Sequence, residues 1–267
     1  MMQRSLFTSF ALLTAVQIAN MVHGEFIRAP KEYHPRSKPN PDQRRHLETS
    51  DELREICSTP VNRLKTSGFD FNEYLAKADS NPDLTYTDDT FEWPTALHRP
   101  ELRLVSGQVS LANDAEELDW LRIKDAYSNS EYSMFGPDDE AYYEQALQGE
   151  LGNCWLVVAA ASIAEEPDRI HDIVEIDVKN SVGIYATSMY LLGMPITVIV
   201  DDYLPIEPMD NSQLRYAQVP EDGALWGPIL EKTFAKYLGN YEAIDAGVAS
   251  HGIEALLGSP FINLEHA

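Results

Sequence analysis

The residues of this 267-residue chain best suited to chemistry are Gln148-Gly149-Glu150-Leu151-Gly152-Asn153-Cys154-Trp155. A turn containing two glycines runs into the apolar stretch from Cys154 to Ala164, which reads as a helix buried on most faces and ended before Pro167. Such a turn sets the Cys154 side chain at or near a helix N-terminus, where unpaired backbone N–H groups and the positive end of the helix dipole meet. That setting suits a nucleophilic thiol. Gln148, six residues upstream, can fold back over the turn and aim its amide N–H at the same point. A side-chain amide and a backbone N–H converging on a nucleophile make an oxyanion hole. The competing reading is a small buried cysteine that merely opens a core helix.

The elements that must position this stretch can be read from periodicity. Asp168 to Val174 reads as a short helix. Gly183 to Leu192 and Ile196 to Val200 are β-rich and joined by Gly193-Met194-Pro195, which predicts a hairpin. In Ala224 to Leu238, Trp226, Ile229, Leu230, Phe234, Tyr237 and Leu238 recur at three-four spacing, and Gly239-Asn240 stops the helix. Ser250 is a candidate cap for a last helix ending at Gly258. Upstream, helical spacing is found in Glu52 to Lys65, Phe71 to Ala78 and Asp114 to Tyr127; in the last, Ala115, Leu118 and Leu121 share a face that Trp120 and Ile123 do not. Asp79 to Asp89 reads as a loop. The fold class expected is α+β, mostly helical, with one small antiparallel sheet.

Composition sets limits on partners. The formal charge is −23 and unevenly placed, with seven Lys/Arg against four Asp/Glu in residues 1–50 and 13 against 39 in the rest. So acidic a body argues against nucleic acid as a partner, because phosphate contacts need basic patches. At the N-terminus a short basic start and the apolar stretch Ser5 to Ala19 read as a signal peptide, residues 1–24, with Val22 and Gly24 placed for cleavage. Secretion is the expected destination, and no later stretch predicts stable insertion in a membrane. Residues 25–50 are polar and Pro-rich, a leader or linker. Cys57 and Cys154 are the two cysteines; a disulfide between them is disfavoured because nucleophilic chemistry requires Cys154 free.

Three ordered blocks resemble one family. Gln148 to Leu156 is similar to the active-site cysteine segment of calpains. Val198-Ile199-Val200-Asp201-Asp202-Tyr203-Leu204-Pro205-Ile206 resembles the calpain Val-Asp-Asp-x-Leu-Pro strand. Leu225 to Lys236, running on through Gly239-Asn240-Tyr241-Glu242-Ala243, resembles the calpain Trp-x-x-Leu-Leu-Glu-Lys helix and its Gly-x-Tyr-Glu-Ala continuation. Ser250 to Gly258 matches the family's following helix weakly, and Phe91-Glu92-Trp93-Pro94 corresponds to its Trp-x-Arg-Pro entry to the core.

The resemblance implies a papain-like core whose Cys-bearing lobe is built on the helix starting at Cys154. It implies Cys154 as nucleophile, Gln148 and the Cys154 backbone N–H as oxyanion donors, and Trp155 packed beneath the site. Glu231 and Lys232 are expected to serve helix packing and surface charge. On this reading residues 51–135 are an N-terminal extension and insertion, and residues 136–267 are the first lobe of the catalytic domain.

Departures from the family matter as much. The second lobe of calpains supplies a His in Gly-His-Ala-Tyr and an Asn in Asn-Pro-Trp, and neither motif occurs here. His171, His251 and His266 do not fit the catalytic role. The expectation is a calpain-like cysteine endopeptidase acting on protein or peptide substrates, represented by an incomplete chain that is inactive without a complementary second lobe. The alternative is a non-catalytic single-lobe protein that binds peptides or a partner. Calcium binding is a weak expectation, because the family's glutamate position is Ala224, leaving Glu221 and Asp222 as candidate ligands. Calpains are typically intracellular, so a cytoplasmic location is the family's alternative to secretion.

Overall fold

The computed structural model describes residues 71–260, apart from 79, 82, 99–110, 112–113, 128–131, 177–179, 192 and 209. The expected signal peptide, the Pro-rich stretch, the helix over 52–65, Cys57 and His266 lie outside the described residues.

The β-rich run after Gly183 forms β2, Ile184–Leu191, paired antiparallel with β3, Met194–Asp201, in a register from Ile184↔Asp201 to Leu191↔Met194. The turn is tighter than the sequence predicts. Strand β3 begins directly after Gly193, which stands at φ +79°, a conformation that costs glycine little. Met194 and Pro195 therefore belong to the strand. A two-stranded sheet leaves each strand one unpaired edge, where a proline is tolerated.

The expected single strand over 198–206 is divided. β3 ends at Asp201, and β4, Tyr203–Glu207, joins a second sheet of order β1-β4-β5, with β1 at Asp119–Arg122 and β5 at Asp210–Leu214. The break falls at Asp202, whose backbone N–H donates to Gly183 O at 3.0 Å and whose carbonyl accepts from Ile123 N at 3.1 Å. Its buried carboxylate pairs with Arg122, itself 5% exposed. One antiparallel sheet is thus replaced by two, divided at a buried ion pair.

That pair also explains why the helix expected over 114–127 does not form. Asp114–Glu117 and Ile123–Ala126 are single helical turns on either side of β1, which pairs with β4 from Asp119↔Ile206 to Arg122↔Tyr203. The off-face positions of Trp120 and Ile123 carried the signal. Ile123 is buried, and Trp120 stacks at 5.7 Å on Trp93. Tertiary pairing outweighs a weak local helical preference here.

The other helices follow the sequence closely. They are α1 (Phe71–Ala78), α2 (Cys154–Ile163), α3 (Pro167–Ile173), α4 (Trp226–Leu238) and α5 (Ala249–Leu257). Pro167 opens α3 at a position that needs no N–H. Gly239 closes α4 in the left-handed region, its N–H donating to Ala235 O at 2.7 Å and Lys236 O at 3.1 Å. Ser250 does not cap α5: Val248 stands at the N-cap and Ser250 lies inside the first turn. Nor is α2 buried on most faces. Trp155, Leu156, Ala159, Ala160 and Ile163 face the core, while Val158 is 55% exposed and Cys154 is exposed.

The core between these elements is aromatic, with Trp226, Tyr185, Tyr216, Tyr241, Phe135 and Phe234 fully buried. Within it α4 carries two charges that the sequence reading gave to helix packing and surface charge. Glu231 is 5% exposed and Lys232 fully buried. Lys232 Nζ donates to Asp201 and, at 2.5 Å, to Tyr203 O, with the Trp120 ring 4.6 Å away. Asp201 also accepts from Asp88 N at 2.8 Å, and Asp88 accepts from Lys236 Nζ at 2.6 Å. Alternating cations and carboxylates thereby join α4, β3 and the chain near residue 88. Burial pulls the Lys232 ammonium below its usual range, and Asp201 opposes that shift. Among the described residues no helix is long and apolar enough to cross a membrane.

Candidate active site

The turn before Cys154 is clasped from two directions. On one side Glu150 N donates to Arg215 O at 3.1 Å. There Gly149 lies so close to the Tyr216 carbonyl that a Cβ would stand 1.9 Å from its oxygen, so only glycine fits. On the other side Gly152 N donates to Asp245 Oδ1 at 3.0 Å, and Ala246 N returns a bond to Gly152 O at 2.9 Å. The segments after β5 and before α5 thus fix where the turn hands the chain to the helix.

Cys154 is the first residue of α2, exposed and free. Among the described residues no hydrogen bond is made to its Sγ. Its predecessor Asn153 is fully buried and caps the helix through its carbonyl, which accepts from Leu156 N at 2.8 Å and Val157 N at 3.2 Å. The Asn153 side chain does not cap. Its Nδ2 donates instead to Glu231 Oε2 at 2.6 Å. Gln148 folds back over the turn as its spacing allows, Nε2 donating to Leu151 O at 2.7 Å. An amide carries two N–H donors, so one remains for a second acceptor.

Trp155 lies under the turn, 7% exposed. Its Nε1 donates to Ile244 O at 3.0 Å, and its ring meets Phe234 edge-on at 5.4 Å. Gly247 leaves room for the indole: a Cβ there would be 2.3 Å from Cε2. The helix front is therefore seated on a rigid aromatic floor.

The three described histidines have other contacts. His98 Nδ1 is 2.7 Å from Glu242 Oε2, His171 stacks at 3.9 Å on Phe135, and His251 sits half-buried in the first turn of α5. The calcium candidates do not assemble a cation site. Asp222 accepts from Gln145 Nε2 at 2.8 Å through Oδ2 and from Ala224 N at 3.1 Å through Oδ1, while Ala224 is buried and Glu221 is exposed. A hard cation wants several converging oxygens. Among the described residues no group of three or more His, Cys, Asp or Glu is placed to hold a metal. This donor set does not fit calcium.

Sequence reasoning missed Asp245, and it missed Glu231 and Asn153 as a pair. Glu231 left one trace: it lies three residues before Phe234 and four before Ala235, both buried, so the helical period already put a carboxylate against the core. Asp245 left none, because its contact with Gly152 depends on how a loop returns.

The sequence model described as calpain family cysteine protease matches residues 86–266. Calpain-8 of Mus musculus is 31% identical over 201 residues, covering 74% of this chain and 27% of its own. Calpain clp-1 of Caenorhabditis elegans is 34% identical over 125 residues, 45% of this chain and 16% of its own. The Calpain-1 catalytic subunit of Homo sapiens is 32% identical over 142 residues, 52% of this chain and 19% of its own. The chain thus spans between 16% and 27% of the length of these relatives.

Proposed function

This chain belongs to the calpain family of cysteine proteases, and from that premise we propose that it supplies the nucleophile of a papain-like endopeptidase through Cys154. The observation carrying this reading is an exposed thiol on the first residue of a helix, behind a turn held by Asp245 and the Arg215 backbone, with Gln148 folded over that turn.

In the proposed reaction Cys154 Sγ attacks a peptide carbonyl carbon. The oxygen takes up the negative charge between Gln148 Nε2–H and the Cys154 backbone N–H. Collapse of that intermediate breaks the C–N bond, leaves a thioester on Cys154, and releases an amine that must gain a proton; water then hydrolyses the thioester. Proton delivery to the amine and activation of the water call for a histidine held by a third group. Among the described residues no histidine bonds to Cys154 Sγ, so this role is assigned to a histidine on a second lobe.

With residues 1–267 purified and both casein and calcium supplied, no cleavage is expected, while a peptidyl epoxide alkylates Cys154 slowly. Robust calcium-dependent cleavage by these residues alone would contradict both the division of labour between lobes and the misfit to calcium.

A further inference from the structure

A buried carboxylate stands directly behind the candidate nucleophile, and the proposed reaction does not use it. Glu231 accepts from Asn153 Nδ2 at 2.6 Å and from Ala217 N at 3.0 and 3.2 Å. One side chain therefore joins α4, the segment after β5 that clasps the turn, and the residue whose carbonyl starts α2. Asn153 completes its bonding on one side only: Oδ1 is buried and, among the described residues, has no partner. An ionised carboxylate can only accept, so it serves Nδ2 and does nothing for Oδ1. A protonated carboxyl can face the amide with two bonds at once, its O–H donating to Oδ1 and its carbonyl accepting from Nδ2.

We propose that Glu231 is a positioning residue for Cys154, holding the helix front through Asn153 in a way that changes when the carboxyl gains or loses its proton. The inference rests on the reading of Cys154 as nucleophile. Burial raises the Glu231 carboxyl to about 7, against the opposing bonds from Ala217 and Asn153. Tyr216 and Tyr241 face it from the segment after β5 and from the turn Tyr241–Ile244, and both are pushed well above neutrality, so they keep their protons. On its own helix Lys232 is committed to Asp201, and Glu242 of the facing turn is committed to His98. Glu231 is thus a group in this cluster placed to change charge near neutral pH. A cavity of about 20 Å³, lined by Leu147, Asn153, Ala217 and Glu231 among others, lies beside the carboxyl. Leu147 is 40% exposed and sets that cavity near the surface, from which a proton can be supplied.

The sign follows from the shift. The native state keeps this proton to higher pH than the unfolded chain, so the protonated arrangement prevails below about 7 and is lost as pH rises through it.

The test is the rate of iodoacetamide alkylation at Cys154, followed by peptide mapping across about pH 5 to about pH 9, in wild type, E231Q and N153A. Glutamine keeps an acceptor for Nδ2 and offers a fixed donor to Oδ1. In wild type the profile shows a second ionisation near 7 besides that of the thiol. In E231Q that step is absent, and the ratio of variant to wild-type rate changes by about threefold or more between the two ends. N153A cuts the link while leaving Glu231 bonded to Ala217, and removes the same step should E231Q fold poorly. A reactive Cys154 with an unchanged profile in both variants would overturn the inference alone. A Cys154 that does not alkylate in wild type would overturn the nucleophile reading, and the inference with it.

Discussion

Replacing Lys232 with alanine is expected to destabilise the domain by about 3–5 kcal/mol, because it leaves a buried carboxylate without its counter-ion. Asp201 is 2% exposed and accepts from Lys232 and from Asp88 N. Without the ammonium it must either keep a charge in the core or take up a proton, and both cost free energy. The loss would extend beyond one pair, since Lys232 also holds Tyr203 O, where β4 begins, and lies over Trp120 of β1. Guanidinium unfolding followed by tryptophan fluorescence measures the effect, with an unchanged slope required for a like-for-like comparison. A loss below about 1 kcal/mol would mean that the pair is worth no more than one exposed to solvent.

Gln148 carries the second large expectation, on reactivity rather than stability. Its Nε2 already donates one hydrogen to Leu151 O, which orients the amide and leaves the other hydrogen for a developing oxyanion. Acetylation of the thiol by p-nitrophenyl acetate passes through a tetrahedral oxyanion and releases p-nitrophenolate, which needs no proton to leave. Gln148→Ala should slow that acetylation by about 10²-fold, the scale found when one oxyanion donor is removed. Alkylation by iodoacetamide is a displacement at a saturated carbon with no oxyanion, and should change little. Equal slowing of both reactions would instead mean that Gln148 only shapes the turn.

How far the sequence led depends on the range of the interactions involved. Helices α2 to α5 were legible because three-four spacing, Pro167, Gly239 and Gly258 are local signals. The turn before Cys154 was legible for the same reason: the glycines and Gln148 act within seven residues of one another. What failed was non-local. Residues 114–127 kept enough helical spacing to suggest one helix, but Arg122 seeks Asp202, 80 residues away, and β1 pairs with β4. The division of 198–206 at Asp202 has the same cause. Glu231 and Lys232 were read as helix packing and surface charge because long charged side chains are mostly exposed; their full burial depends on Asn153, Ala217 and Asp201, brought in from other segments.

The position of Ser250 is instructive for a different reason. A serine ahead of an apolar helical run is a good cap in isolation. Here Val248 takes that place, because the close packing of Gly252 on Ala159, where a Cβ would come within 2.7 Å, and on the Trp155 ring sets where α5 begins. Packing against the nucleophile's helix outweighs the local capping preference.

The most direct test of the central claim is to locate the acetyl group after brief treatment with p-nitrophenyl acetate. Cys57 and Cys154 are the two thiols of the chain and report on each other. The prediction is a burst of one equivalent of p-nitrophenol, an acetyl thioester found on the peptide bearing Cys154, and loss of the burst in Cys154→Ser. Label shared evenly between Cys57 and Cys154, or a burst that survives in Cys154→Ser, would contradict it.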